Sequence, residues 1–356
     1  MFRPFLRKLE FIAVLGAFVY LVACGSSQKT TKATSSLEEP AAIANELGIV
    51  FYNVENLFDT IDNPETLDEE YMPNAKKQWN TERYQIKLQH LSKVILEANG
   101  GKAPDFIGLS EIENEAVVKD LLTQDGLSKV DYGIVHYQSP DIRGIDNAFA
   151  YNKAIFSPTN QDKIRIDFEG VTEEKYTSRD IIYCSGKIGN ETIHFYVNHW
   201  PSRRGGLEAS SPKREHVAKQ LKNHINKIGV DANIIIMGDF NDEPDNVSVR
   251  QVLGATAVAS ENGLYNAMSD LDADGKGTYN YRGNWNMLDQ FIVSTSMLDD
   301  DELTILAKSA SAFQQTWMMY NDKKYGPTPS RTYGGPNYYG GYSDHLPIAI
   351  TLLHTK

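Results

Sequence analysis

Cysteine is nearly absent: the 356 residues hold two, Cys24 and Cys184. One chain therefore builds neither a disulfide framework nor a thiolate zinc site from them. Positive charge is also scarce, with 35 Lys and Arg against 47 Asp and Glu and a formal net charge of -12. That balance excludes a protein that coats polyanions by bulk charge, because such binding rests on many cation–phosphate contacts. An anionic ligand would have to be held by a local cluster or by metal ions. No apolar run reaches the roughly 20 residues of a membrane span. Internal repeats, a Walker-type phosphate loop and a clear interdomain linker are all missing.

What is present is enough for a sizeable core, at 41 % hydrophobic and 10 % aromatic residues, so disorder is not the default. Arg3, Arg7 and Lys8 precede an apolar stretch from Phe11 to Val22, the layout of an export leader. Leu21-Val22-Ala23-Cys24-Gly25 then resembles the lipobox of bacterial lipoproteins. The resemblance implies a signal peptide over 1–23, lipidation of Cys24 and an exported body anchored to a bacterial membrane, on the periplasmic or cell-surface side. A short anchor helix with an incidental cysteine is the alternative. Residues 24–45, rich in Ser, Thr, Lys, Ala and Glu, read as a flexible tether. Cys184 reads as a free core thiol.

A single folded domain is expected over 46–356. Apolar runs predict strands at 48–54, 105–109, 133–137, 148–151, 181–188, 193–197, 234–237, 290–293 and 348–352. Helical periodicity marks 84–98 and 212–228, with Pro212 in the first turn and Gly229 as the stop. The alternation points to an α/β sandwich in which two sheets face each other.

Polar residues cluster at the ends of these strands, where loops gather side chains on one edge of a scaffold. Asn53, Glu111, the pair Asn198-His199, and Asp239 with Asn241 each follow an apolar run; Asp289 and Asp344-His345 each precede one. Carboxylates and amides without thiols suit a hard cation such as Mg²⁺ or Mn²⁺. A phosphodiester resists attack until its charge is neutralised and a water is deprotonated, which such a cation and a His braced by an Asp would supply. Each element alone also fits a capped turn.

Taken together, six segments in order resemble the endonuclease/exonuclease/phosphatase superfamily: Tyr52-Asn53-Val54-Glu55-Asn56-Leu57-Phe58, Leu109-Ser110-Glu111-Ile112, Asn198-His199-Trp200-Pro201-Ser202, Gly238-Asp239-Phe240-Asn241, Leu288-Asp289-Gln290-Phe291 and Ser343-Asp344-His345-Leu346-Pro347. The resemblance implies a four-layer α/β sandwich, helices outside two mainly antiparallel sheets. It implies Glu111 as principal metal ligand with Asn53 and Asp344 beside the same ion, His345 as catalytic base and Asp289 as its orienter. Asp239 is then expected near the attacking water or leaving oxygen, and Asn241 and His199 on the scissile phosphate.

Accessory expectations are looser. Arg143 or Asp146 would contact phosphate or brace the histidine, or form a plain turn. Arg203 and Arg204 would clamp phosphates or form a solvated loop. Tyr338, Tyr339 and Tyr342 would offer a stacking platform for bases or pack their glycine-rich loop. Asp270, Asp272, Asp274 and Gly275 match the first half of an EF-hand calcium loop, but position twelve is Tyr281. A structural Ca²⁺ and an Asp-rich turn both stay open. The leading functional reading is a divalent-metal-dependent phosphodiesterase, a nuclease acting on extracytoplasmic DNA or RNA. The alternatives are a phosphatase or phosphodiesterase acting on inositol phosphates or sphingomyelin-type lipids, and a binding module that has lost catalysis. No protein partner is evident, and a monomer is expected.

Overall fold

The computed structural model describes residues 44–172, 175–229, 231–299 and 301–355. The leader, Cys24 and nearly all of the tether lie outside them. The first strand, Ala44–Leu57, starts two residues ahead of the expected body.

Two seven-stranded sheets carry the architecture. Across the first, the order is Leu303–Ile305, Ile348–Thr355, Ala44–Leu57, Phe106–Ile112, Asp146–Asn152 and Tyr132–His136, with Ser311–Ala312 also on Ile348–Thr355. Across the second it is Ser157–Ile164, Ile181–Ile188, Glu191–His199, Asn233–Asp239, Asp289–Ser294, Leu264–Asn266 and Ala255–Thr256. Pairing is mainly antiparallel. Each sheet has a parallel pair at its centre, Ala44–Leu57 with Phe106–Ile112 and Glu191–His199 with Asn233–Asp239, and the second has another at its edge, Leu264–Asn266 with Ala255–Thr256.

The central strands read as unbroken apolar runs because both of their faces are covered. Ile49 and Phe51 point between the sheets, where they join Phe106, Phe149, Phe195 and Met237. Val50, Tyr52 and Val54 point outward into a layer with Leu88, Leu91 and Ile95 of the helix Thr81–Ala98. Asn80 caps that helix through its side chain, and Asn114 does the same for Glu115–Leu122. On the second sheet, Tyr196, Ile234 and Ile236 pack under Leu221 and Ile225 of the helix Leu207–Ile228. The result is a four-layer α/β sandwich.

Several local expectations change. The long helix begins at Leu207, so Pro212 sits in its second turn and forfeits one backbone bond there. Ser157–Ile164 is a polar, largely exposed edge strand with no apolar alternation to reveal it. Two hairpins, Tyr279–Tyr281 with Asn284–Asn286 and Met319–Asp322 with Gly326–Pro329, likewise lie outside the apolar runs. Asp270 and Asp272 lie on the short helix Ser269–Ala273 with Asp274 at its cap. Side chains two apart on a helix point in divergent directions, so the carboxylates do not gather into a calcium loop.

Strand direction explains why the polar stations meet. Asn53, Glu111, His199 and Asp239 lie near the carboxyl ends of the two central parallel pairs, in register as Asn53↔Ser110 and His199↔Asp239. Asp289 opens an antiparallel neighbour and pairs with Asp239 itself. Asp344 and His345 precede Ile348, which lies opposite Phe51. Residues that end strands of one direction and residues that begin strands of the other therefore share one edge of the sandwich.

Candidate active site

At that edge His345 Nδ1 sits 2.7 Å from Asp289 Oδ2, and both side chains are buried. The other ring nitrogen, Nε2, faces Asp239 Oδ2 at 3.8 Å, a gap wider than a hydrogen bond. Asp239 is fixed from several sides: its Oδ2 accepts from Asn53 Nδ2 at 3.1 Å, and its Oδ1 accepts from the backbone of Asn241 at 2.9 Å. His199 Nε2 lies 3.5 Å from Asp239 Oδ2 and 3.9 Å from Glu111 Oε1. Asn53, Glu111, His199, Asp239, Asn241, Asp289 and His345 thus converge. Thr278 holds two of the segments in place, its hydroxyl accepting from Asp289 N and its carbonyl from Leu346 N. Ser343 Oγ donates to the Asn53 carbonyl at 2.6 Å and accepts from His345 N.

The backbone is strained at these stations. Glu55, Asn56, Glu111 and Asn241 all take positive φ, at 51°, 53°, 65° and 49°, a region that non-glycine residues avoid. The ladder between the two central strands of the first sheet shifts register between Asn53 and Leu57, and that on the far side between Ser110 and Ile112. Bulges of this kind re-aim side chains. Here they bring Glu111 Oε2 to the Asn56 backbone N–H at 3.0 Å.

Negative charge exceeds what the nearby side chains offset. Burial, reinforced by Asp289 and Glu111, pushes the Asp239 carboxyl up to about 7 against the pull of His345. Burial and Asp344 push Glu55 up to about 7, although Lys87 and the Thr332 N–H oppose the shift. Burial lowers His345, but Asp289 and Asp239 override it and raise the imidazole well above its usual range. His199 moves the other way, held neutral by burial and by Arg179 and Arg143. A concentration of hard oxygen donors and surplus negative charge fits a divalent cation. Asp239, Asp289 and His345 are near enough together to share one ion. Oxygens of Glu111, Asn53 and Asp344 also carry N–H partners, from Asn56 at 3.0 Å, Glu55 at 3.1 Å and Arg331 at 2.8 Å, so each carboxylate keeps one oxygen besides the bonded one for an ion.

Three accessory expectations need correction. Asp146 spends its oxygens on His136 Nε2 at 3.0 Å and Ser139 N at 2.9 Å, which braces a loop rather than phosphate. Arg203 donates to the Asn241 carbonyl and to Asn286 at 2.8 Å each and to Asn246 at 3.1 Å, so it pins the 241–246 loop and has no fork left for a substrate. Arg204 is exposed, with no contact to the cluster. Arg143 is bound to Asp141 at 3.2 Å and faces Glu111 and His199 electrostatically. Among the tyrosines, Tyr342 stacks on His90 and Tyr338 packs on Tyr333, while Tyr339 is exposed.

Other participants carried little sequence signal. Arg331 pairs with Asp344 at 2.8 Å, and Tyr279 lies against His345 with ring centroids 4.9 Å apart. Lys87, buried on a helix, donates to Thr332 Oγ1 at 2.6 Å and lies 4.0 Å from Glu55. Arg179 joins Asp141 at 3.1 Å to the Trp200 carbonyl at 2.6 Å. Only Glu55 had a clue, standing two positions after Asn53 in the first motif.

A profile described as Endonuclease/Exonuclease/phosphatase family matches residues 48–354. No curated protein matches the sequence. Similar solved structures include D. rerio TDP2 complexed with single strand DNA product, at 15 % identity and TM-score 0.51 over 86 % of this chain and 98 % of that one. The human Nocturnin catalytic domain with bound sulfate anion gives 18 % identity and TM-score 0.52, over 87 % and 95 %. Bacteroides thetaiotaomicron mannosyl-6-phosphatase gives 16 % and 0.51, over 86 % and 99 %. At these identities the likeness is one of fold.

Proposed function

Since the chain belongs to the endonuclease/exonuclease/phosphatase family, whose members are metal-dependent phosphoester hydrolases, we propose that it hydrolyses phosphodiester bonds in nucleic acid. The observation that carries the reading is His345, bonded to Asp289 at 2.7 Å and facing the fixed carboxylate of Asp239 across 3.8 Å. A water set to one side of the pair, within hydrogen-bond reach of both His345 Nε2 and Asp239 Oδ2, would meet an imidazole oriented by Asp289 and be aligned by Asp239. For His345 to act as base, part of the surrounding negative charge must be offset. A Mg²⁺ or Mn²⁺ ion held by Glu111, Asn53 and Asp344 would supply that offset and neutralise non-bridging phosphate oxygens. Neutral His199 would donate to the phosphate as charge develops, and Asn241 would join it by turning its amide from the Trp200 carbonyl, to which it donates at 3.0 Å. The DNA product bound by the D. rerio relative favours nucleic acid, and the intact set of side chains argues against an inactive binding module. We extend the proposal to an exported, Cys24-lipidated enzyme, which acyl labelling lost in Cys24→Ser would support.

A second reading, a phosphatase or lipid phosphodiesterase, draws on Leu67 and Ile142. These exposed apolar side chains are joined through a 2.8 Å backbone bond beside Arg143. The mannosyl-6-phosphatase likeness also points that way. The test incubates the purified chain with plasmid, oligonucleotides, RNA, sphingomyelin and sugar phosphates under Mg²⁺, Mn²⁺ or chelator. Nucleic-acid cleavage abolished by chelator and reduced at least ~100-fold in His345→Ala is expected. Phosphocholine or inorganic phosphate as the only product would replace the nuclease reading with the second one.

A further inference from the structure

Among the described residues only three aromatic side chains are exposed, Tyr281 at 53 %, Tyr320 at 57 % and Tyr339 at 64 %, and all three line one cleft of about 620 Å³. They come from three separate stretches. Tyr281 lies on the first hairpin, Tyr320 on the second, and Tyr339 in the glycine-rich loop that leads to Asp344. The cleft opens beside the catalytic edge, since Arg331, Asp344 and Tyr279 belong to the same wall. Tyr279 connects the two, lying against the His345 ring while its backbone bridges to that residue.

Among the described residues the other tyrosine rings, Tyr325 of the same cleft apart, pack into the layers or onto neighbouring rings. Exposing three around one cavity leaves apolar ring faces to water, a disposition that marks a binding surface. Flat faces suit flat ligands. The wall also carries two guanidinium groups, Arg282, 5.1 Å from the Tyr281 ring, and Arg331, paired with Asp344, along with the carboxylate of Asp322. Rings interleaved with a few cations match a strand whose planar bases alternate with phosphates. A duplex hides its base faces within the stack, so these rings reach bases only where a strand is unpaired.

We propose that this cleft is a stacking subsite for the unpaired bases of single-stranded nucleic acid, placed next to the phosphate that His345 addresses. The inference rests on the phosphodiesterase reading for its catalytic edge and adds the form of the substrate. With a net charge of -12 the molecule gains little from long-range attraction to a polyanion, so the rings carry the recognition. Two guanidinium contacts predict a slope of log affinity against log salt no steeper than about -1.4, from roughly 0.7 per phosphate on a single strand.

The test compares wild type, Tyr320→Ala, Tyr339→Ala and the Tyr→Phe versions. Substrates are a short oligothymidylate, its duplex with oligoadenylate, mannose 6-phosphate and the minimal diester bis(p-nitrophenyl) phosphate, all with Mn²⁺. Oligonucleotide binding is read in parallel by anisotropy, and folding by thermal melts. Each Ala variant is expected to raise the oligothymidylate KM and Kd about tenfold, by a margin at least tenfold beyond any change on the minimal diester. Phe should restore most of the loss. Ala variants that bind and cleave the single strand like wild type would overturn the subsite, as would preference for the duplex, or turnover of mannose 6-phosphate without the oligonucleotide. If wild type fails to hydrolyse the minimal diester, the hydrolase reading falls. Ring-dependent oligothymidylate binding would then still uphold the cleft, and its absence would refute it.

Discussion

A carboxylate 2.7 Å from an imidazole nitrogen does two things at His345: it fixes the ring's direction and keeps a proton on Nδ1, so that Nε2 meets the gap to Asp239. Replacing Asp289 by Asn leaves the shape but lets the ring choose the wrong tautomer. Phosphodiester hydrolysis by Asp289→Asn should fall roughly 10²- to 10⁴-fold, with the melting temperature nearly unchanged; a loss below about fivefold would deny Asp289 the orienting role. Arg203 gives the opposite pattern. Its donors are taken up by Asn241, Asn286 and Asn246, so Arg203→Ala should cost about 1–3 kcal/mol of stability by thermal or denaturant unfolding. Its KM for oligonucleotide should stay within about twofold; a selective rise in KM would restore the clamp.

Elements built from buried apolar runs were legible, because a strand covered on both faces must be written in residues such as Ile49, Phe51, Ile235 and Met237 and little else. The motif residues at their ends were legible too, through order and spacing. Polar elements were not. The strand Ser157–Ile164 and the tyrosine hairpins obey no period, and Arg331 and Thr278, in loops, and Lys87, on a distant helix, reach the site from outside the six motifs. Composition alone could not separate Arg203 and Asp146, which hold loops, from residues that would meet substrate. The close pairing of Glu191–His199 with Asn233–Asp239 sets a further demand at Gly238, where a Cβ would run into the carbonyl of Asn198. Gly238→Ala must push those strands apart just before His199 and Asp239. It should lose about 1–3 kcal/mol by denaturant unfolding and most of its hydrolysis, whereas a stable, active variant would show that this contact is dispensable.

At the scale of the molecule, the site concentrates charge that the fold by itself does not neutralise. Asp239 and Glu55, at about 7 when folded, have ordinary values of 3.8 and 4.5. Between those limits the folded state binds more protons than the unfolded one. Their contribution to metal-free stability is therefore full below pH ~4 and lost as pH rises through ~7. Metal acts on the folded state by mass action. At 100 times its dissociation constant Mn²⁺ should add about 2.7 kcal/mol at pH 8, measured by melting, and much less in Glu111→Gln. A gain that persists unchanged in Glu111→Gln would place the ion elsewhere.

The pairing of Ala44 with Thr355 has an orienting consequence. Both ends of the sandwich lie together, and about nine residues of strand, some 30 Å at ~3.3 Å each, separate them from Asn53. A bead or fusion partner joined at either end would therefore grip the molecule by its heel and leave the reactive rim pointing outward. A peptide bridging 355 to 44 would permit new ends to be cut elsewhere without disturbing that rim.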